Sequence, residues 1–203
     1  MGQYCIVIPE KETVIAITSV VYDMGKVMNI VWEELLPAIQ TNPIKEDATA
    51  LGSLQQKTAN LKLPLIKGDQ RTKISRKASK KKYTLQANEE GVTAIDFDLH
   101  KNPPTITIHY DQEQVIIPIG QQHYQKSTLK HPLPYGKKLQ KKVAANGAWI
   151  SPTDYQLRMY FYEMPERITY TFSFAEDQVT WESKLEHSLL GPQEQERFIG
   201  NRD

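Results

Sequence analysis

The sequence predicts a mainly β protein, α+β overall, in which an antiparallel up-and-down β-barrel of about eight strands follows a β-hairpin and a helix. Two observations lead to this prediction. The first 38 residues change from β-branched runs to a helical repeat, and residues from Lys73 onward place apolar side chains at every second position. With 203 residues, of which 39% are hydrophobic, the chain is long enough to bury a core. We therefore expect three segments, at 1–38, 39–72 and 73–203.

The first segment has the pattern of a hairpin followed by a helix. Two β-branched runs, at 6–8 and 14–17, flank a charged turn at 9–12. Asp23 is placed to cap a helix that ends at Pro37. The apolar positions of that helix are Met24, Val27, Met28, Val31, Leu35 and Leu36. A hairpin and one helix cannot bury both of their faces alone, so we expect residues 1–38 to dock on the barrel or to join a second copy in a two-fold homodimer.

The second segment, 39–72, has the composition of a linker. It is polar and is interrupted by Pro43 and Pro64, with a possible helix at 47–60.

The third segment alternates apolar and polar residues, which indicates strands with one buried and one wet face. Ile95, Phe97 and Leu99, for example, alternate with polar residues. Strands are expected at 83–86, 95–99, 105–110, 115–119, 143–150, 157–162, 168–174 and 179–185, with a short one near Phe198. Strands in meander order fit a closed barrel better than a Greek-key sandwich, because closure removes the edges. The sandwich is the alternative.

Composition narrows the classes of function. The net charge of +1 provides no overall attraction to nucleic acid or membrane, and the longest apolar runs are too short to cross a bilayer. Cys5 is the only cysteine, so no intrachain disulfide can form, and we expect a small buried hydrophobe there. No signal peptide is visible, which leaves the cellular compartment open, with the cytoplasm favoured.

Residues 1–38 resemble the C-terminal hairpin and helix of class C β-lactamase-like serine hydrolases, the penicillin-recognising and esterase-type group. The resemblance lies in Gly2-Gln3-Tyr4, in the turn Pro9-Glu10-Lys11-Glu12, and in the helix from Met24 to Pro37. The family pattern has a glycine and an aromatic residue where Met1 stands. The resemblance implies that these elements are left over from a catalytic domain that lies upstream of them, and that this missing domain is the partner.

Two of the three catalytic motifs of that family are missing from this sequence, and the third lacks the helical setting that it needs. The family uses Ser-x-x-Lys, a Tyr-x-Asn or similar element, and Lys/His-x-Gly. Tyr-x-Asn and Lys/His-x-Gly do not occur here, and Ser-x-x-Lys occurs only in strand-like or loop-like sequence, beginning at Ser79 and at Ser127. The motif needs a helical turn to bring the lysine to the serine. We therefore expect a non-catalytic chain with no catalytic residue, cofactor site or metal site.

The third segment resembles, less specifically, the lipocalin-like C-terminal β-barrel that several of these hydrolases carry. The matching stretches are Lys80 to Tyr83, Asn146 to Trp149, Tyr160 to Glu163, and Thr169 to Phe174 before Asp177. The resemblance implies an accessory domain with a structural or cleft-shaping role. The alternative is a lipocalin-like module that binds a small apolar ligand, although inward aromatic residues more often fill such a barrel.

Two further patterns have a functional and an ordinary interpretation. Seven cations fall within twelve residues, at Arg71, Lys73, Arg76, Lys77, Lys80, Lys81 and Lys82. They could contact phosphate or nucleic acid, but no aromatic residue is interleaved, and a solvated linker leading into an edge strand is favoured. The five histidines lack the spacing of a zinc site; they are His100, His109, His123, His131 and His187.

Overall fold

A computed structural model confirms the mainly β, antiparallel fold class. It describes residues 2–21, 23–40, 42–132, 138–187 and 196–203, without the side chains of 131, 132, 138, 139 and 187. The chain forms two compact units, residues 1–64 and residues 65–203.

The first unit contains the predicted hairpin and helix. Strands β1 (Gln3–Ile8) and β2 (Thr13–Thr18) pair antiparallel. In the turn between them, the backbone of Glu12 adopts the left-handed helical conformation. Helix α1 (Met24–Ile30) is capped by the Asp23 carboxylate, which accepts a hydrogen bond of 3.2 Å from the Lys26 N–H. The helix continues through a π-helical turn (Val31–Leu35) into a short α2 (Leu36–Ala38), and α3 (Ala48–Ala59) follows within the expected range.

The two faces of the hairpin differ in exposure. Tyr4, Ile6 and Ile8 are half-buried on one face of β1, while Cys5 and Val7 are exposed on the other. The prediction that Cys5 is buried is therefore wrong. Alternation along β1 places Cys5 on the face that carries Val7, and that face is not covered in this structure.

The second unit is a nearly closed ten-stranded antiparallel barrel. A four-residue helix, α4 (Ser75–Ala78), precedes it. Its strands are β3 (Lys81–Leu85), β4 (Val92–Asp98), β5 (Thr105–Tyr110), β6 (Gln114–Pro118), β7 (Gln125–Pro132), β8 (Lys138–Trp149), β9 (Asp154–Phe161), β10 (Glu166–Ala175), β11 (Gln178–His187) and β12 (Glu196–Arg202). Neighbouring strands follow chain order, and β12 pairs with β3. This is the up-and-down order expected from the sequence.

The seam of the barrel lies between β6 and β7, and Asn146 of β8 connects the segments around it. Its Nδ2 donates to the Gly120 carbonyl at 2.9 Å and to the Gln121 carbonyl at 3.2 Å. Its Oδ1 accepts the Ile66 N–H at 2.7 Å. One buried amide therefore joins β8 to the residues after β6 and to the segment before β3.

The barrel core is built from the predicted alternating residues. Phe97, Phe172 and Phe174 pack edge to face, with centroids 5.1 Å apart for Phe97 and Phe172 and 5.0 Å apart for Phe97 and Phe174. The rings of Trp181 and Phe198 pack with their centroids 4.7 Å apart. Rings in these geometries stabilise the core beyond the area they bury.

Two details differ from the sequence prediction. The predicted strands did not include β7, since its sequence is rich in lysine and other polar residues and Leu129 is its buried apolar residue. The interpretation of Lys80, Lys81 and Lys82 as the entry to an edge strand is wrong, because β3 lies between β4 and β12. The final strand of the chain covers the edge that β3 would otherwise expose.

Candidate functional site

The two Ser-x-x-Lys matches do not form the helical turn that a serine nucleophile of this type needs. Ser79 lies after α4, and its Oγ accepts the Leu99 N–H at 3.1 Å, while Lys82 lies in the extended β3. Ser127 and Lys130 both lie in β7, where residues three apart point to opposite faces. In this structure, neither lysine is placed to take a proton from its serine.

The histidines are dispersed over the barrel domain. His109 Nε2 is 2.6 Å from Asp96 Oδ2 on the barrel surface, and His123 Nε2 is 3.4 Å from Gln125 Oε1. The side chains of His131 and His187 lie outside the described residues. Among the described side chains, no group of three or more His, Cys, Asp and Glu residues is arranged to hold a metal ion.

The barrel interior is occupied by large side chains. Phe97, Phe172 and Leu157 are completely buried, and Trp149 is 1% exposed. The indole N–H groups of Trp149 and Trp181 have no acceptor among the described residues. A ligand that satisfied these two groups would have to displace closely packed rings, so this interior is poorly suited to ligand binding.

A buried ion pair lies in the barrel domain, between β8 and β10. Lys141 Nζ is 3.1 Å from Glu166 Oε2, and the two side chains are 3% and 4% exposed. The ammonium group also lies 5.1 Å from the centre of the Phe161 ring. Because each charge is neutralised by the other, the pair needs no external ligand.

An acidic and aromatic cluster lies near Glu196 at the start of β12. The pKa of Glu196 is raised to about 7 by partial burial and by repulsion from Glu90 and Glu89. Burial, first of all, and then the Glu90 and Glu196 carboxylates raise the pKa of the Tyr110 and Tyr170 phenols. This cluster makes the stability of the fold dependent on pH.

Four cations of the basic segment, defined as residues 71–82, line two adjoining clefts of the barrel domain. One cleft, of about 650 Å³, is lined by Arg71, Thr72, Lys73, Ser75, Arg76 and His100. The other, of about 820 Å³, shares three of these residues, also includes Lys77, and reaches Trp149 and Ile150. The sequence indicated the cations but not His100 or Trp149, which the fold places beside them from the turn after β4 and from the end of β8.

The hairpin and helix of the first unit carry exposed apolar side chains. Val7 and Val14 are directly opposite each other in the hairpin register and are 62% and 64% exposed. We name this the hairpin surface, formed by Cys5, Val7, Val14 and Ala16. The helix adds exposed apolar side chains at Met24, Ile30, Trp32 and Leu35. Neighbouring exposed apolar side chains such as Val7 and Val14 are typical of a contact site for another protein.

Comparison with known proteins does not identify a function for the chain. The sequence matches no protein-family model, and no curated protein is significantly similar to it. Within the described residues, no helix combines the length and apolar character needed to cross a membrane.

Proposed function

We propose that the chain is the non-catalytic C-terminal part of a class C β-lactamase-like serine hydrolase. Its hairpin and helix would complete the sheet of the catalytic domain, and its barrel would be an accessory domain that shapes or covers the catalytic cleft. The exposed hairpin surface, with Val7 and Val14 side by side, is the observation that carries this proposal.

The isolated hairpin supports a sheet-completing role. β1 and β2 form a sheet of two strands, which is marginally stable in water without a covering layer or further strands. In the described structure, Val31 is the buried apolar residue of the α1–α2 helix. Docking against a larger sheet would bury both valines and stabilise the hairpin by about 1.5–3 kcal/mol for each side chain.

The barrel supports a structural role rather than ligand transport. Its core holds packed aromatic residues such as Phe97 and Phe172, which occupy the space where a lipocalin-like module would hold a ligand. The catalytic serine, lysine and tyrosine would all come from the partner domain, and acyl transfer on an amide, ester or lactam would take place there.

Hydrolysis assays test the non-catalytic part of this proposal. The purified chain should not hydrolyse nitrocefin or p-nitrophenyl acetate above the buffer rate, and a serine-directed phosphonate should label neither Ser79 nor Ser127. Hydrolysis that is abolished by Ser79→Ala or by Ser127→Ala would contradict it. Hydrolysis retained in both variants would also contradict it if the activity co-elutes with the chain in gel filtration, whereas activity that elutes apart from the chain would leave the proposal supported.

A further inference from the structure

The cleft of about 650 Å³ beside the basic segment is strongly cationic. Arg71, Lys73 and Arg76 line it, and no carboxylate is among its lining residues. In the part of the chain that the structure describes, none of these three cations forms an ion pair with an acidic side chain. Unpaired cations that converge on a concave surface favour an anion, since their charges are not neutralised within the protein.

Two polar atoms of the same cleft lack hydrogen-bond partners. Thr72 Oγ1 and His100 Nε2 are buried from solvent and contact no donor or acceptor of the described residues. Buried polar groups are normally hydrogen-bonded, because an unpaired one retains its desolvation cost. Both residues line the cleft, but these two atoms are out of reach of a water-sized group, so an anion bound there would contact them only after their side chains rotate.

The backbone around the cleft is held in place by the barrel. Asp69 and Trp149 exchange two backbone hydrogen bonds, of 2.8 and 2.9 Å. Gly68 allows this close approach, because a Cβ atom there would lie 2.1 Å from the Trp149 carbonyl oxygen. On the other side, the Ser79 hydroxyl accepts the Leu99 N–H, which fixes the residue before His100. The cationic side chains are therefore mounted on an anchored segment rather than on a free linker.

The adjoining cleft adds an apolar wall. It shares Arg71, Thr72 and Lys73 with the cationic cleft and continues along Trp149 and Ile150. Ile74 and Pro152 also line it, as does Asp69, so the anionic group belongs in the first cleft, where no carboxylate is among the lining residues. A ligand whose charged group lies among the arginines would extend its remaining atoms along this apolar wall, where they would be removed from water.

We propose that these two clefts form one site for a small amphiphilic anion, in which a phosphate or carboxylate group binds Arg71, Lys73 and Arg76 and an apolar portion lies against Ile74 and the exposed Ile150. Arginine suits either head group, since its guanidinium donates two parallel hydrogen bonds to a carboxylate or a phosphate. All of the residues named in this site belong to the barrel domain.

A small molecule fits the site better than a nucleic acid does. The aromatic residue that lines the clefts, Trp149, is 1% exposed and presents no face on which a base could stack. The cations also converge on one concavity, whereas a nucleic-acid groove follows an extended backbone.

Calorimetric titration of the full chain tests the proposal. The probes are octyl phosphate, octanoate and inorganic phosphate, each below any micelle concentration and at low salt. We expect octyl phosphate or octanoate to bind at least tenfold more tightly than inorganic phosphate, and the tighter of the two identifies the head group. Arg71→Gln/Arg76→Gln should weaken that binding at least tenfold. The control Lys126→Gln/Lys130→Gln, which removes the same charge from β7, should leave it within twofold.

Three results would overturn the proposal. The first is no binding of either amphiphile, and the second is equal binding by the arginine variant when circular dichroism shows that it is folded. The third is binding of a single-stranded oligonucleotide that falls steeply with salt concentration and prevents octyl phosphate from binding. Such competition would show that the clefts bind nucleic acid. If the arginine variant fails to fold, Arg71→Lys and Arg76→Lys are tested singly. Each should weaken binding, because lysine cannot make the bidentate contact. Unchanged binding in both variants would overturn the proposal.

Discussion

Phe172 offers the clearest test of which face of β10 is buried. Its side chain is completely buried and lies 5.1 Å from the Phe97 ring and 5.8 Å from the Trp181 ring. Removing a buried phenylalanine ring costs about 3–5 kcal/mol, and an unpaired buried carboxylate adds several kcal/mol more. The sum for Phe172→Asp is comparable with a total stability of about 5–15 kcal/mol. We therefore expect this variant to lose its cooperative unfolding transition.

Thermal unfolding followed by circular dichroism measures the effect. Phe172→Ala, which lacks the charge, should lower the Tm by about 6–20 °C, given about 2–4 °C for each kcal/mol in a domain of this size. The matched control is Ile116→Asp, because Ile116 lies on β6 and is 49% exposed, and its Tm should change little. An unchanged Tm for Phe172→Asp would refute the assignment of faces along β10.

Three further experiments, each with its own variants, test separate parts of the structure. Val7→Lys/Val14→Lys should convert a homodimer formed by the full chain into a monomer in sedimentation velocity, and a chain that sediments as a monomer with freely exchanging hairpin amides would contradict self-association through residues 1–38. Glu196→Gln should be more stable than the wild type at pH 8, because the raised pKa of about 7 makes the native carboxylate unfavourable when charged. This difference should shrink as the pH falls from about 7 to 4.5, where the native carboxyl becomes neutral, and urea unfolding at several pH values measures it. Lys141→Met should cost about 3–5 kcal/mol by leaving Glu166 buried and unpaired, whereas Lys141→Met/Glu166→Leu should be close to neutral, and equal losses in the two variants would contradict the role of the ion pair.

Strands with one buried face were predictable from the sequence, because the alternation of side chains follows directly from backbone geometry. Ile95, Phe97 and Leu99 are all buried as that pattern requires. β7 was not predictable in this way. It lies at the seam, and most of its side chains with described burial are exposed or half-buried, so no apolar alternation marks it.

The candidate sites were only partly predictable, because they depend on contacts between distant residues. The cations from Arg71 to Lys77 stand out in the sequence, but His100 lies beside them only in the folded chain, where the Ser79 hydroxyl accepts the neighbouring Leu99 N–H. The Lys141–Glu166 pair has no sequence signal, since Lys141 is followed directly by another lysine and its partner is 25 residues away. Burial distinguishes it from a solvated charge, and burial comes from the barrel as a whole.

The proposed origin of residues 1–38 is tested most directly by sequencing the genomic DNA upstream of the codon for Met1. We predict an uninterrupted reading frame, in phase with the chain, that encodes Ser-x-x-Lys, then Tyr-x-Asn or a similar element, then Lys/His-x-Gly a few residues before Gly2-Gln3-Tyr4. An in-frame stop codon shortly before Met1, or a long reading frame without these motifs, would contradict the assignment of the hairpin and helix to a serine hydrolase.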